Sequence, residues 1–152
     1  MKLSTRSRYG VRLMFELALN YGKGPVLLKN IAKNQDISEK YLSKLVISLK
    51  TAGFVNSIRG THGGYILAKD PGKISIKDIV EVLEGDISPV DCVKNASLCE
   101  RASICPTRDV WCKLGNEISK TLEGISLEDI VKNFQSKKEE SHHDKSSCFI
   151  QY

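Results

Sequence analysis

The first half of the chain spaces its apolar residues with a helical period. Residues 4–22 predict an amphipathic helix, because one stripe of helical spacing contains Tyr9, Leu13, Leu17 and Tyr21. The same kind of spacing predicts a short second helix over residues 26–35 and a third over residues 39–53. Ser38 is placed to cap the third helix, after a tight turn at "DIS". The pattern therefore predicts three consecutive helices, with a turn between the last two.

Residues 54–68 change from the helical period to the period-two alternation of paired strands. Gly60, Gly63 and Gly64 interrupt this alternation, so we expect a β-hairpin with a glycine-rich tip. Helix, turn, helix and hairpin follow one another in a winged helix-turn-helix, whose third helix lies in the DNA major groove and whose hairpin is the wing. The predicted fold class is mainly α with a small β-hairpin wing.

Two capping signals organise the second half of the chain. Ser75 with Asp78, and Ser126 with Asp129, have the spacing of capping boxes, so each pair predicts a helix start. A cysteine-rich stretch and a long helical pattern lie between them. The predicted organisation is a DNA-binding domain at 1–70 (helix-turn-helix about 28–51, wing about 54–68), a unit at 71–134 with a cysteine loop (92–105) and a dimerisation helix (about 107–125), and a disordered tail at 135–152.

Charge is distributed unevenly between the two halves. Residues 1–69 contain 12 Lys/Arg against 3 Asp/Glu, a net of +9, whereas residues 70–152 contain 11 against 15, a net of −4, which together give +5. A basic half of this kind is typical of a protein that binds a polyanion, and a solvated surface is the alternative. The basic half is also the half with the winged-helix pattern, so double-stranded DNA is the expected partner.

The residues expected to contact DNA lie at the start of the third helix and at the tip of the wing. Side chains near the start of a recognition helix reach base edges. Lys40 and Lys44 are expected to contact phosphate or guanine, and Arg59 is expected to enter a minor groove. The complete predicted set is Ser38, Glu39, Lys40, Tyr41, Ser43, Lys44, Arg59, Gly60, Gly63 and Gly64.

The long helix predicted at about 107–125 has one apolar face, which includes Trp111, Leu114, Ile118 and Leu122. One use of this face is self-association into a homodimer, since helix-turn-helix dimers bind inverted-repeat operators. The other use is as an internal core stripe.

Four of the five cysteines lie within residues 91–112, at Cys92, Cys99, Cys105 and Cys112. The chain has no export signal and no run of about 20 apolar residues, so we expect a cytoplasmic protein with no membrane partner. There, clustered cysteines bind metal or do redox chemistry more often than they form structural disulfides. The residues alone do not decide whether these cysteines form disulfides, bind zinc, hold an iron–sulfur cluster or simply pack in a core.

An enzyme is disfavoured by what the sequence lacks. It contains no phosphate-binding glycine loop and no nucleophile–base pair. A redox enzyme or electron carrier would also have no use for the basic DNA-binding domain predicted at 1–70, called the head below, with its wing. We therefore expect no catalytic residues and no small-molecule substrate.

Four stretches together resemble the IscR/NsrR/CymR group of bacterial regulators, the Rrf-two family: "MKLSTRSRYGVRLMFELAL", "ISEKYLSKLVISLKTAGFVNSIRGTHGGYILAKDP", "DIVEVLEG" and "CERASICPTRDVW". The resemblance extends from Met1 to about Phe134 and is greatest to IscR-type proteins. It implies a homodimeric regulator with a winged-helix head. It also implies that an iron–sulfur cluster, 2Fe-2S or 4Fe-4S, controls which promoters are bound.

By this resemblance, Cys92, Cys99 and Cys105 match the three cluster cysteines, with the spacing C-x6-C-x5-C. Thiolates are the usual ligands of such clusters. Relatives supply the fourth ligand as a histidine after the third cysteine, an aspartate in the first helix or a glutamate in the recognition helix. At these places the chain has Arg108, Arg8 and Ser43.

Cys112 is a candidate fourth ligand if Cys105 precedes the long helix, or if Cys112 comes from the partner subunit. On one continuous helix the two residues would stand about 10 Å apart along the axis. In the other interpretation, Cys112 forms a small-residue flank with Gly115 and Ser119, where two helices approach closely.

The expected function is a DNA-binding transcription regulator, acting as a repressor. It would sense iron–sulfur cluster status, or oxidative or nitrosative stress, through the three loop cysteines. The alternative is a cluster-free winged-helix regulator whose cysteines are thiol switches or zinc ligands, for example in sulfur metabolism.

Overall fold

The computed structural model describes residues 3–140. Within this range, seven α-helices accompany one two-stranded antiparallel hairpin. The elements are α1 (Thr5–Leu19), α2 (Leu28–Gln35), α3 (Glu39–Thr51), β1 (Val55–Ile58), β2 (Gly64–Leu67), α4 (Ile76–Glu84), α5 (Asp91–Lys94), α6 (Arg108–Glu123) and α7 (Leu127–Glu140), with short 3-10 turns at Pro71–Lys73 and Ala96–Leu98. The predicted fold class, mainly α with a small hairpin wing, is confirmed.

The helix-turn-helix consists of α2 and α3, joined at Asp36. This residue has a left-handed conformation (φ 50°), which ends α2 and turns the chain towards α3. Ser38 caps α3 as predicted, because its side chain accepts a hydrogen bond of 3.2 Å from a backbone N–H three residues later. α2 begins at Leu28, later than the pattern predicted, because Val26 instead pairs with Tyr65 through two backbone hydrogen bonds of 2.9 Å.

The hairpin forms as the alternation predicted. β1 and β2 pair from Val55 opposite Leu67 to Ile58 opposite Gly64, so the glycine-rich tip lies beyond the last pair. Val55 and Leu67 are buried, which anchors the base of the hairpin in the core, whereas the outer residues of β1 are exposed. The wing therefore exposes β1, whereas β2 is half-buried and is held by the bridge between Tyr65 and Val26.

One hydrophobic core connects the head with helices that follow it. The core combines side chains from α1, α3, α4 and the start of α7, such as Leu13, Leu42, Ile79 and Leu127. α1 and α4 approach so closely that a Cβ at Gly10 would contact the side chain of Leu83. The core is thus continuous across the turn at residues 70–72, where the sequence predicted the end of the DNA-binding domain.

Residues 84–126, by contrast, contain no buried residue in the single chain. The first part of the apolar face of α6 is largely uncovered, with Trp111 39%, Leu114 42% and Val110 58% exposed. Of the two predicted uses, the internal core stripe applies only to the end of this face, where the half-buried Leu122 packs against the core. An uncovered apolar face of this kind is typical of an interaction surface.

α7 continues to Glu140, so the prediction of a disordered tail is wrong for residues 135–140. Phe134 packs edge-on against Phe15 of α1 with ring centroids 5.1 Å apart, which anchors this part of the helix. Lys137 and Lys138 lie in the last turn, where positive charge is favourable. The rest of the predicted tail lies outside the described residues, and with it His142, His143 and Cys148. No helix within 3–140 is long and apolar enough to cross a bilayer.

Candidate functional site

The exposed face of α3 is cationic and lies opposite its buried face. The buried face packs into the core through Leu42, Leu45, Val46 and Leu49. Lys40 and Lys44 are exposed one turn apart on the other side. Within residues 3–140, the side chain of neither lysine forms a hydrogen bond or an ion pair. Both ammonium groups are thus available for a ligand, as the predicted contact with DNA requires.

Three predicted DNA-contact residues in α3 or at its N-cap also have partners inside the protein. The Ser38 side chain is the helix cap, and the Ser43 hydroxyl donates a 2.8 Å hydrogen bond to the carbonyl of Lys40. Tyr41 is half-buried, and its ring meets that of Tyr9 edge-on with centroids 5.7 Å apart. These three side chains shape and orient α3. Glu39 stays exposed in the first turn, next to the positive end of the helix.

The tip of the wing presents Arg59 and Gly60, both exposed as predicted. Gly60 has φ +110° and no atom within 4 Å of where a Cβ would be. Gly63 is buried, and a Cβ there would lie 2.9 Å from the carbonyl oxygen of Gly60. At Gly64, φ is +154° and a Cβ would lie 2.6 Å from the carbonyl oxygen of Val26. The tip glycines are therefore required for its shape, and Arg59 is the charged group that it presents.

A network that the sequence analysis missed connects α1 to the end of α2. The Arg12 guanidinium lies 5.4 Å from the Tyr9 ring centroid and donates hydrogen bonds to both the side chain and the backbone carbonyl of Gln35. The Gln35 amide donates to the Glu16 carboxylate at 2.6 Å, and the Asn34 amide donates to it at 3.2 Å. The i,i+4 spacing of Arg12 and Glu16 was the available signal, but the structure inserts Gln35 between the two charges.

The three predicted cluster cysteines lie on one segment but do not meet at one point. Cys92 is in α5, Cys99 follows the second 3-10 turn and Cys105 precedes α6, each as a half-buried free thiol. The residues that the structure describes include no group of three His, Cys, Asp or Glu side chains placed to hold a metal ion. A cluster held by all three thiols therefore requires this segment to close.

The chemistry of the segment fits thiolate ligands. The Thr107 hydroxyl lies 3.3 Å from Cys105 Sγ, and this hydrogen bond, with backbone N–H groups of Thr107 and Arg108, lowers the pKa of Cys105 below its ordinary value. The thiolate is the form that binds metal and that reacts with oxidants. Arg108 donates from Nε to the Cys92 carbonyl at 3.0 Å, which connects α6 to α5.

Cys112 lies on α6, and Cys105 precedes that helix, so no continuous helix holds the two apart. Of the predicted small-residue flank, Gly115 and Ser119 border the segment before α5. A Cβ at Gly115 would lie 3.0 Å from Cδ of Pro89. In the single chain Gly115 therefore allows the close approach of this irregular segment, whereas the sequence suggested the close approach of a second helix.

We predict that Thr107→Val slows alkylation of Cys105. The change removes the hydroxyl that stabilises the thiolate, so the pKa of Cys105 rises and less thiolate is present near pH 7. Iodoacetamide labelling of the reduced, metal-free protein across a pH series, with each cysteine peptide quantified by mass spectrometry, measures the shift. Thr121→Val, at another exposed threonine, is the control. An unchanged pH profile for Cys105 would show that the hydroxyl does not act on this thiol.

The sequence matches one family model over residues 3–133, described as Rrf2, iron-dependent transcriptional regulator. The HTH-type transcriptional regulator CymR of Bacillus subtilis is 41% identical over 131 residues, which cover 86% of this chain and 90% of CymR. The HTH-type transcriptional regulator IscR of Xenorhabdus nematophila is 35% identical over 133 residues, which cover 88% of this chain and 80% of IscR.

The solved structures that match this chain include regulators of the same names. The structure of CymR, described as the global cysteine regulator of B. subtilis, matches with a TM-score of 0.75 at 41% identity over 88% of this chain and 98% of that one. The structure of T. potens IscR matches with a TM-score of 0.72 at 38% identity over 97% of this chain and 94% of that one. Members of this family are transcription regulators and not enzymes. The chain therefore belongs to the Rrf2 family of winged-helix transcription regulators, as its motifs indicated.

Proposed function

We propose that this regulator acts as a repressor by docking α3 in the major groove of its operator, with Arg59 of the wing in the neighbouring minor groove. The observation that supports this most directly is the exposed cationic face of α3, with Lys40 and Lys44 free beside a projecting wing. Phosphate contacts give affinity, and side chains at the groove edge give sequence preference. Because its target is chromosomal DNA, the protein would work in the cytoplasm.

We infer that two copies associate through α6 and bind an inverted repeat. Residues 84–126 contain no buried residue in the single chain, and the exposed side chains of α6 include Trp111 and Leu114. A second copy would cover this face and place two heads on the two half-sites of an operator. Sedimentation equilibrium should give twice the 16.9 kDa of one chain. A mass of one chain at micromolar concentration would contradict the proposal.

Arg59→Ala is predicted to weaken operator binding by about 1–3 kcal/mol, since one minor-groove cation is lost. The exposed position of Arg59 at the wing tip makes a loss of stability small. Fluorescence anisotropy with an operator duplex, repeated over several salt concentrations, measures affinity and its salt slope. Lys132→Ala, which removes one exposed charge from α7, is the control. Equal affinities for the two variants would show that the wing does not touch DNA.

We further propose that Cys92, Cys99 and Cys105 hold an iron–sulfur cluster whose presence changes DNA binding. Three thiols on one segment, the lowered pKa of Cys105 and the absence of buried residues between 84 and 126 support this proposal. The bound cluster would supply a redox-sensitive group. The chain itself supplies the thiolates, and the lack of core packing leaves the segment free to close around the group.

The cluster proposal is tested with protein purified and reconstituted without oxygen. We expect a brown protein that contains stoichiometric iron and sulfide and loses its visible absorption in Cys92→Ser, Cys99→Ser and Cys105→Ser. Cys148→Ser is the matched control and should keep the absorption. Cys112→Ser decides whether Cys112 is the fourth ligand, and Mössbauer spectroscopy decides between 2Fe-2S and 4Fe-4S. Wild-type protein that stays colourless after reconstitution would contradict the proposal.

A cluster-free thiol or zinc regulator is the second candidate function. It is supported by the three thiols lying apart within the described residues, and by the similarity to CymR, described as a cysteine regulator. In this case the low-pKa thiol of Cys105 would be the reactive group. Stoichiometric zinc in a colourless protein, or DNA binding that changes on mild oxidation of metal-free protein, would favour this candidate over the cluster.

A further inference from the structure

Ile47 occupies an unexpected place on the outer face of α3. Its side chain is 64% exposed, although the residue is apolar. On the helix it lies two turns after Lys40 and on the same side, opposite the buried face, at about 10 Å along the axis. A β-branched residue at an exposed helical position stabilises a helix less than alanine does. Neither core packing nor helix propensity therefore explains an isoleucine at this position.

The polar side chains that surround Ile47 are already engaged within the protein. The Ser43 hydroxyl donates to the carbonyl of Lys40 at 2.8 Å, and the Thr51 hydroxyl donates to the carbonyl of Ile47 at 2.9 Å. The Lys50 ammonium donates to the Ser57 hydroxyl of β1 at 2.6 Å. On the outer face of α3, the groups left for a ligand include two ammonium groups, those of Lys40 and Lys44, and the butyl group of Ile47.

We propose that Ile47 contacts the 5-methyl group of a thymine in the major groove and thereby sets part of the operator sequence. This inference rests on the proposed docking of α3. The thymine methyl is the apolar group that the unmodified major-groove edge presents, and Ile47 can neither donate nor accept a hydrogen bond there. The lysines on the same face attract the phosphates that flank this groove, so the charge around Ile47 suits DNA rather than an apolar partner protein.

The test removes the methyl group alone. An operator is first selected from a random duplex pool with the wild-type dimer, and each thymine of one half-site is then replaced by deoxyuridine. For the wild-type protein, we expect one position at which this replacement weakens binding about fourfold, the effect of one buried methyl group. Ile47→Ala should weaken binding to the thymine duplex by a similar factor and should lose the difference between thymine and deoxyuridine at that position.

Ile47→Ala is expected to fold normally, because the residue is exposed and alanine favours the helix. Ile104→Ala, at an isoleucine that is 74% exposed outside the head, is the matched control and should keep the thymine preference. If no deoxyuridine position weakens wild-type binding, or if Ile47→Ala responds as the wild type does, the inference is wrong. A changed sedimentation mass for Ile47→Ala would also overturn it, because Ile47 would then lie in a protein contact.

Failure of this inference can be told apart from failure of the proposed docking. Lys44→Ala should weaken binding to all duplexes alike and reduce the salt slope by about one. If Lys44→Ala weakens binding but the thymine effect is absent, only the role of Ile47 is wrong. If Lys44→Ala and Arg59→Ala both leave the affinity unchanged, α3 and the wing do not bind DNA, and both proposals fail.

Discussion

Gly64→Ala should lower the free energy of unfolding by about 4 kcal/mol, the sum of overpacking and backbone strain. A Cβ at this position would lie 2.6 Å from the carbonyl oxygen of Val26 and 2.8 Å from its carbonyl carbon. Backbone atoms cannot rotate out of the way as a side chain can. Relief would have to break the bridge between Val26 and Tyr65, which attaches the wing to the chain before α2. Urea unfolding followed by far-UV circular dichroism measures the loss.

Gly60→Ala is the matched control for this prediction. Gly60 also has a positive φ, +110°, but no atom lies within 4 Å of the position that its Cβ would occupy. Its cost should therefore be backbone strain alone, about 1–2 kcal/mol. The difference between the two variants isolates the contact with Val26. Equal losses would show that φ, rather than the close approach of the wing, requires glycine at position 64.

Glu16→Ala should destabilise the protein by about 1–3 kcal/mol and weaken operator binding. Truncation would leave the amide of the half-buried Gln35 without its partner, and an unsatisfied buried donor costs more than its bond contributes. Glu16 is 6% exposed, and its carboxylate accepts hydrogen bonds from the Asn34 and Gln35 amides. Because these amides lie at the end of α2, the turn into α3 would loosen. Urea unfolding and operator anisotropy on the same samples measure both effects.

Glu128→Ala is the control for Glu16→Ala. Glu128 pairs with Lys132 at 3.0 Å on the surface of α7, with a half-exposed side chain. Exposed i,i+4 pairs contribute about 0.3–0.5 kcal/mol, so this variant should be nearly as stable as the wild type. A loss at Glu16 no larger than that at Glu128 would mean that the amides find other partners and that the network does not hold the turn.

The elements of the head follow from the sequence because their signals are local. The helical stripe of α1, the Ser38 cap and the glycine-rich interruption of the hairpin each depend on residues within a few positions of one another. The end of α7 was predicted less well. Its charged composition suggested disorder, but the ring of Phe134 packs against that of Phe15, more than one hundred positions earlier. Amino-acid composition does not predict a contact of this kind.

For the candidate site, the sequence indicated the outer face of α3, the wing arginine and the cysteine segment. It did not reveal that Tyr41 and Ser43 would have partners inside the protein, nor that Arg108 would bind the carbonyl of Cys92. These interactions depend on how separate elements approach one another. Ile47 was not in the predicted contact set, although the helical spacing of the buried face leaves it outside, and the structure exposes it.

The sequence by itself determined that this protein has a basic winged-helix head, a thiol-rich segment and an amphipathic helix, because period, caps and charge are properties of neighbouring residues. Tertiary structure alone decided that α4 and Leu127 complete the core of the head, and that Gln35 separates Arg12 from Glu16. It also decided that the first part of α6, at Trp111 and Leu114, stays uncovered in the single chain. Each of these depends on contacts between residues far apart in the chain. A local sequence pattern does not determine which apolar faces pack against each other.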